Sequence, residues 1–465
     1  CCVLNDILDK IAFYFQEIIM KTTRTFTLPL LLASSAVLTA CGGGSDSSDT
    51  GGTGGNNTVA LSASVVQSTV CNTTVPASTA ELIVYDNNWA IKSRHKADAS
   101  GKINASIPKT DYVNISFVGT DGVGSARRID INTFAQHPVG DLGVFRIAGA
   151  SNQGCECQIT DVSVTSVMSS LNSGAMISGH NTRKPVSQNF TNYNTVDYYD
   201  VEICRAVGDE WPTLYAATRD AEPNKAAGYL SGYNPTTPLT IFLDQSPTSY
   251  SANFDQAIES ATILHNFGDA YLAHSELYPS SDIQLFDSIP GLTTFSLRGR
   301  ETSYEYAGDV EIRLGRYQRN EVVPPYADTI DVTLPNAEGP SELARMIILW
   351  LNSDDDNYDL STINDFETFS IGLSARLTDG SGYYQTFIGP KLGTIPNDPL
   401  PADYGVEALI EESDITIFAS MLRYGDQQSY LQYLQSNIAA SKLPISERQT
   451  GNRRQFNQIS IEFNF

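Results

Sequence analysis

Four cysteines, Cys71, Cys155, Cys157 and Cys204, are the residues whose type and spacing best suit covalent chemistry in this chain. Only Glu156 separates Cys155 from Cys157, so on a strand the two thiols share a face but cannot easily bond each other. In an exported chain an even number of cysteines indicates two disulfides, for which three connectivities exist. Cys71–Cys155 with Cys157–Cys204 is the favoured set. Zinc is the competing use, but a C-x-C pair with no histidine nearby departs from the usual ligand spacing. A second cluster, Asp354-Asp355-Asp356 with Asp359 close by, offers hard oxygen ligands for Ca²⁺. It lacks the D-x-D-x-D-G spacing and the distal Glu of a known calcium loop, so a solvated turn is the simpler reading. No metal or other cofactor is expected.

Catalytic spacings are absent. The nearest approach to a G-x-S-x-G nucleophile elbow is Gly122-Val123-Gly124-Ser125-Ala126, without the final Gly. No H-E-x-x-H occurs, and His95, His137, His180, His265 and His274 are scattered. Paired carboxylates for glycoside hydrolysis cannot be singled out from 53 acidic residues, so no catalytic residue is assigned. Two tyrosine pairs, Tyr198-Tyr199 and Tyr383-Tyr384, could stack on sugar rings. Strand neighbours point to opposite faces, so at most one of each pair would be exposed. The net charge of −24 argues against binding a phosphate backbone, which needs clustered Lys and Arg.

The elements that must carry these residues are mostly strands. From 59 to 150, Ala80–Tyr85, Lys102–Ile107 and Tyr112–Val118 are separated by turns such as Asp98-Ala99-Ser100-Gly101. Strands at that spacing predict a β-sandwich. From 151 to 465 the alternation continues. Val310, Ile312 and Leu314 oppose Glu311 and Arg313; Phe369, Ile371 and Leu373 are interleaved with Ser370 and Gly372. Such alternation predicts antiparallel sheets with one wet face. The continuous apolar run Met346–Leu351 fits a strand or a buried helix, and the neighbouring strands favour a strand. Two short helices are expected, one through Phe254, Ala257, Ile258, Ala261 and Leu264. The other runs through Tyr430, Leu431, Leu434 and Ile438, with Asp426 as its N-cap and Pro444 beyond its end. The fold class is therefore mainly β: an N-terminal sandwich, then a larger antiparallel β region with one or two short helices.

Ahead of the strands lies a different kind of sequence. Met20, Lys21 and Arg24 precede an apolar segment, Phe26–Leu38, which leads to Leu38-Thr39-Ala40-Cys41. That order resembles a bacterial lipoprotein signal ending in a lipobox. The resemblance implies a signal peptide over 20–40, residues 1–19 as an over-extended start, and acyl chains on Cys41. Two or more chains hold a protein stably on a membrane. Gly42 rather than Asp after the cysteine implies sorting to the outer membrane. The stretch 41–58, with seven glycines and otherwise polar residues after Cys41, is expected to be a flexible tether.

Two further resemblances bear on the folded part. Asp98-x-x-Gly101-Lys102-Ile103, Pro108 and the strand with Tyr112, Ile115 and Phe117 resemble carboxypeptidase regulatory-like domains, a transthyretin-type (Ig-like) sandwich without catalytic residues. The last strand, with Ile459, Ile461, Phe463 and Phe465 alternating with polar residues, resembles the terminal signal of outer-membrane β-barrels. The simpler alternative is a closing strand of an ordinary sheet. Together these features suggest an outer-membrane lipoprotein serving as a cell-envelope binding or structural module, not an enzyme. Its partners would be the membrane, through its anchor, and a glycan or an envelope protein. A polymer-directed hydrolase and a barrel-associated component are the alternatives.

Overall fold

Leu61, Ala63 and Val65 alternate with polar neighbours, and that period of two sets the first layer of the fold. The computed structural model describes residues 57–464 except 123–126, 169, 172–173, 180–186, 220–224, 268–269, 278–281, 308–309, 327–328, 352–355, 378–379, 396–409, 445–446 and 450. Strand β1 (Thr58–Thr69) pairs antiparallel with β2 (Thr74–Pro76) and β5 (Lys102–Pro108), and parallel with β8 (Gly140–Ser151). The facing layer holds β3 (Glu81–Tyr85), β4 (Ile91–Lys96), β6 (Tyr112–Asp121) and β7 (Arg128–Pro138). Leu61, Val65, Leu82, Ile103, Ile115 and Phe117 fill the space between the layers. The Asp98 carboxylate accepts bonds from the backbone N–H groups of Ser100 and Lys102. Gly101 closes that turn at φ +71°, and a β-carbon there would lie 2.3 Å from the Val65 carbonyl oxygen. The Asp98-x-x-Gly101 pattern is thus the turn that lets β5 lie against β1.

A second sandwich follows. Strands β9 (Cys155–Ser166), β11 (Ser187–Asn192), β12 (Thr195–Ala206) and β15 (Leu239–Leu243) form one sheet in the order β11-β12-β9-β15. Strands β10 (Ala175–Ser178), β13 (Leu214–Thr218) and β14 (Ala227–Leu230) form the other. Val162, Val164, Val196, Ile203, Leu214 and Ile241 are buried between them. Both disulfides are those favoured above. Cys71–Cys155 ties the chain just past β1 to the start of β9, and Cys157–Cys204 joins directly opposed residues of β9 and β12.

The remaining strands are β16 (Thr248–Phe254), β17 (Ser260–Phe267), β18 (Ala270–Leu277), β19 (Asp282–Leu285), β20 (Thr294–Ala307), β21 (Val310–Val322), β22 (Thr329–Val332), β23 (Asn357–Asp359), β24 (Thr368–Leu377), β25 (Gly382–Pro390), β26 (Leu392–Thr394), β27 (Ile410–Tyr424) and β28 (Gln455–Asn464). Twelve strands make one sheet, ordered β18-β17-β20-β21-β28-β27-β24-β25-β7-β6-β3-β4. Among the described residues its two ends, β18 and β4, do not pair with each other, so the sheet is open and closes into no barrel. The neighbours are antiparallel except β25 and β7, which run parallel from Gly382↔Arg128 to Ile388↔Phe134. One layer of the first sandwich is therefore continuous with the large sheet.

One face of this sheet is dry. Helix α1 (Gly339–Leu351) presses Leu343 and Ile347 onto Phe369, Ile459, Ile461 and Phe463. Farther along, β16, β19 and β22 cover Phe295 and Leu297 of β20. The run Met346–Leu351 thus belongs to a helix, not the expected strand. Pro340 sits in its first turn, where a missing N–H costs nothing, and Leu343, Ile347 and Trp350 fall at helical spacing. Conversely, no helix forms through Phe254–Leu264. The Asp255 carboxylate accepts a bond from the Ala257 N–H, ending β16 in a turn, and β17 buries alternate residues. Helix α2 (Tyr430–Ser441) forms as expected, but Ser429 caps it rather than Asp426; its hydroxyl accepts from the Gln432 N–H. The last strand, β28, lies between β21 and β27 with Ile459, Ile461 and Phe463 in the core. Its alternation is that of an interior sheet strand and not of a barrel terminus. Among the described residues no helix is long and apolar enough to cross a membrane.

Candidate functional site

The other face of the large sheet is only partly covered. At one end the β1–β8 layer lies on it. Next to that layer α2 is held by the Tyr430 hydroxyl, which donates to the carbonyls of Ala135 and Ile388 (2.8 and 3.0 Å). The Ser441 hydroxyl accepts from the Val144 N–H on β8 (2.9 Å). Beyond these covers the register puts Tyr384, Thr386, Ser374, Gly372, Phe418, Ser420, Ser460 and Arg313 on one open face. The same alternation that buries Phe369, Ile417 and Ile461 on the dry side turns these neighbours to the open face, where Tyr384 is exposed, Gly372 and Ser420 are buried and the others are half-buried.

Two shallow cavities, of about 420 and 410 Å³, lie on this open face and meet at Phe418. The first is lined by Arg128, Asp130 and Asn132 of β7, Arg146 of β8 and Tyr384 of β25. Arg128 Nε donates to Asp130 at 2.9 Å, and its guanidinium carbon stands 3.8 Å from the centre of the Tyr384 ring. The Asp130 carboxylate raises the Arg128 pKa above its ordinary value. Arg146 donates to the Ser441 carbonyl (3.2 Å), and its Nε is buried without a partner. Burial lowers its pKa. The second cavity is lined by Arg300, Arg313, Tyr317, Gln458, Ser460 and Glu462. Arg313 lies 3.9 Å from the Glu462 carboxylate and 5.9 Å from the Tyr304 ring centre.

Aromatic rings recur beside the arginines of this region. Arg319 stands over Phe456 at 5.5 Å and Arg453 over Tyr424 at 4.2 Å. Each such pair fixes a flat guanidinium beside a flat ring, a favourable electrostatic contact of about 0.5–2 kcal/mol. A surface of this kind offers stacking area and fan-shaped N–H donors together. That suits sugars and planar anions.

The residues singled out from sequence are spread widely. Cys41 and Asp354 lie outside the described residues. Asp359 accepts from the Ser361 N–H at 2.8 Å, and that turn lowers its pKa; Asp356 is half-buried. Neither joins a cluster of three potential ligands. Among the described residues only Cys157, Glu202 and Cys204 converge so closely, and both sulfurs are in the disulfide. Tyr198 is buried, its hydroxyl donating to the Ala175 carbonyl, while Tyr199 is exposed. Tyr383 is buried and Tyr384 exposed on the open face. His137 and His265 are buried; His265 Nε2 accepts from the Phe286 N–H, a structural bond.

The carboxylates on the candidate surfaces are poorly placed for acid–base work. The first cavity has one acidic side chain, Asp130, and the second has Glu462; an arginine lies against each. A third cavity, about 480 Å³, opens beside the start of α1 with Glu338, Glu342 and Asp365. Glu342 is bound by Arg345 (2.6 Å) and Thr362 (3.1 Å), and the arginine lowers its pKa. A glycosidase needs a general acid whose pKa is raised, and Glu342 moves the other way. Sequence reasoning missed the arginines of the open face. Only the register between distant strands gathers them.

No protein-family model matches the chain, and no curated protein matches it. Among solved structures it is similar to a streptococcal ancillary pilin at 8% identity, over 60% of this chain and 98% of that one, with a TM-score of 0.12. Likeness at that level is no guide to fold or function.

Proposed function

We propose that this protein is a lipid-anchored binding module of the bacterial outer membrane, holding a glycan on the open face of its twelve-stranded sheet without cleaving it. The observation that carries the reading is Tyr384, 39% exposed, with the Arg128 guanidinium lying against its ring at the mouth of a polar cavity. An exposed aromatic ring backed by hydrogen-bonding side chains is a general platform for sugar rings, which present an apolar face and a hydroxyl rim. The arginines against Asp130, Glu462 and Glu342 favour binding over hydrolysis. The anchor rests on the lipobox at Cys41 and the outer-membrane sorting on Gly42.

Two measurements test the two halves. Cells grown with a labelled fatty acid should transfer label to the wild type and not to Cys41→Ser; equal labelling removes the anchor. The full chain on a glycan array should bind at least one glycan class, and Tyr384→Ala should lose that binding while melting like the wild type. An array without any signal removes the glycan-binding role.

A further inference from the structure

We infer that the open face is built for an acidic polysaccharide, one whose sugars carry carboxylates; the inference rests on reading that face as a glycan-binding surface. The chain has 53 acidic and 29 basic residues, yet both cavities reverse that balance. Arg128 and Arg146 face Asp130 in the first, and Arg300 and Arg313 face Glu462 in the second. A positive surface on a strongly negative protein concentrates anions and repels other acidic proteins, which is charge complementarity of a selective kind.

Arg128 is held by Asp130 and Arg313 lies against Glu462, but other arginines of this face lack the carboxylate partner that structural arginines have. On the dry face Arg316 is bound to Glu301, and at the edge of the sheet Arg94 holds Glu81 with two bonds. Among the described residues no carboxylate lies within ion-pair distance of Arg146, Arg298, Arg300 or Arg319. The Nε atoms of Arg146, Arg298 and Arg319 are buried without an acceptor, while terminal nitrogens of Arg146 and Arg319 donate to the Ser441 carbonyl and to Gln449 and the Arg453 carbonyl. Among the described residues the Arg300 side chain donates only to the neighbouring Thr302 hydroxyl (2.7 Å), and it is exposed. Guanidinium groups pair with carboxylates in a two-pronged, coplanar way. Arg313, beside Tyr304 and lining the second cavity, would meet a uronate on both of its features, ring face and carboxylate. The spread of the arginines over β7, β8, β20 and β21 spans several sugar units, so the ligand is a polymer. Among the described residues no lysine lines either cavity, and the planar fork of arginine matches the two oxygens of a carboxylate in a way a lysine ammonium does not.

The test is binding of the full chain to alginate, a polyuronate, beside neutral dextran and vesicles of phosphatidylglycerol. The expected result is alginate binding that weakens as salt rises, with little binding to dextran or vesicles. Arg300→Ala with Arg313→Ala should weaken alginate binding about tenfold or more. Glu462→Gln removes the carboxylate competing for Arg313 and should strengthen it about threefold. Folding of each variant is checked by its thermal melt, and opposite effects on binding exclude general damage as the cause. Equal, salt-insensitive binding of dextran and alginate overturns the acidic ligand and leaves the glycan-binding role standing. Binding to vesicles but not to alginate overturns the inference. So does weaker binding in both variants. Failure of every glycan to bind removes the underlying role as well.

Discussion

The ring of Phe418 ends over the bare α-carbon of Gly372, its direct cross-strand neighbour on the open face of the large sheet. A β-carbon at 372 would lie 2.1 Å from the ring's Cζ. Glycine inside a strand weakens it by roughly 0.5–1 kcal/mol relative to alanine, and here the ring of the adjacent strand covers the gap. Phe418 is also where the two cavities meet, so this close approach lays the floor of the candidate site.

Gly372→Ala should therefore act on stability and site together. The added methyl cannot coexist with the present ring position, and overpacking of this sort costs about 1–3 kcal/mol. The ring would turn outward and divide the surface. Chemical denaturation should show the loss, and glycan binding should fall with it. An alanine variant as stable as the wild type would show that Phe418 yields freely and is no fixed floor.

The two disulfides should differ in what they contribute. They span 84 and 47 residues, and closing such loops in the unfolded chain is worth roughly 4.6 and 4.1 kcal/mol in the chain-entropy account, a difference of about 0.5 kcal/mol. Replacing Cys71 and Cys155 together by serine should cost more than replacing Cys157 and Cys204. The first pair also ties one sandwich to the next, so its loss should broaden the unfolding transition. Urea titrations of the two double variants decide the order, and the reverse order would argue that native-state effects dominate.

Much of the fold is written in local pattern, and the site is not. Alternation marked β21 and β24 because one face of each is dry and the other wet, a period any strand of that kind repeats. The run Met346–Leu351 is ambiguous in sequence for the same reason. When every residue is apolar, period carries no information, and the helical spacing begins only at Leu343 upstream. The turn at Asp255 hid behind an accidental helical spacing of apolar residues on two separate strands. The open face depends on β7 lying beside β25, a pairing of residues about 250 positions apart. Arg128 or Arg300 taken singly is just the wet side of a strand. Only that long-range register makes them a surface.

Helix α1 gives a direct check on the one element whose type the local pattern left open. Leu343 is fully buried against the sheet, while Leu349 is 49% exposed on the opposite side. Leu343→Ala should cost about 2–5 kcal/mol, the range for emptying a packed leucine site. Leu349→Ala should change stability by no more than about 0.5 kcal/mol. A strand through 346–351 would instead put Ile347 and Leu349 on one face. Comparable losses from Leu349→Ala and Ile347→Ala would therefore contradict the helix.

His137 makes the stability depend on pH in a stated direction. Its ring is 2% exposed, Nδ1 donates to the Pro138 carbonyl at 2.9 Å, and the Phe134 ring meets it edge-on. Burial lowers its pKa from 6.5 to about 4. The unfolded chain therefore takes up the proton first as pH falls. Above pH 6.5 the ring is neutral in both states and has no effect on the balance. Between 6.5 and about 4 the folded state loses about 1.4 kcal/mol per pH unit relative to the unfolded one, roughly 3 kcal/mol in all. Below the folded value both states are protonated and the loss stops growing. Carboxylates with lowered pKa values, such as Asp141 and Glu342, add destabilisation at acid pH in the same direction. They are present equally in His137→Gln, so the comparison isolates the imidazole. Unfolding free energies of wild type and variant, measured from pH 7 to 4, should run parallel above 6.5. Below it the wild type should fall more steeply, and curves parallel throughout would mean that His137 can be protonated without disturbing the folded state.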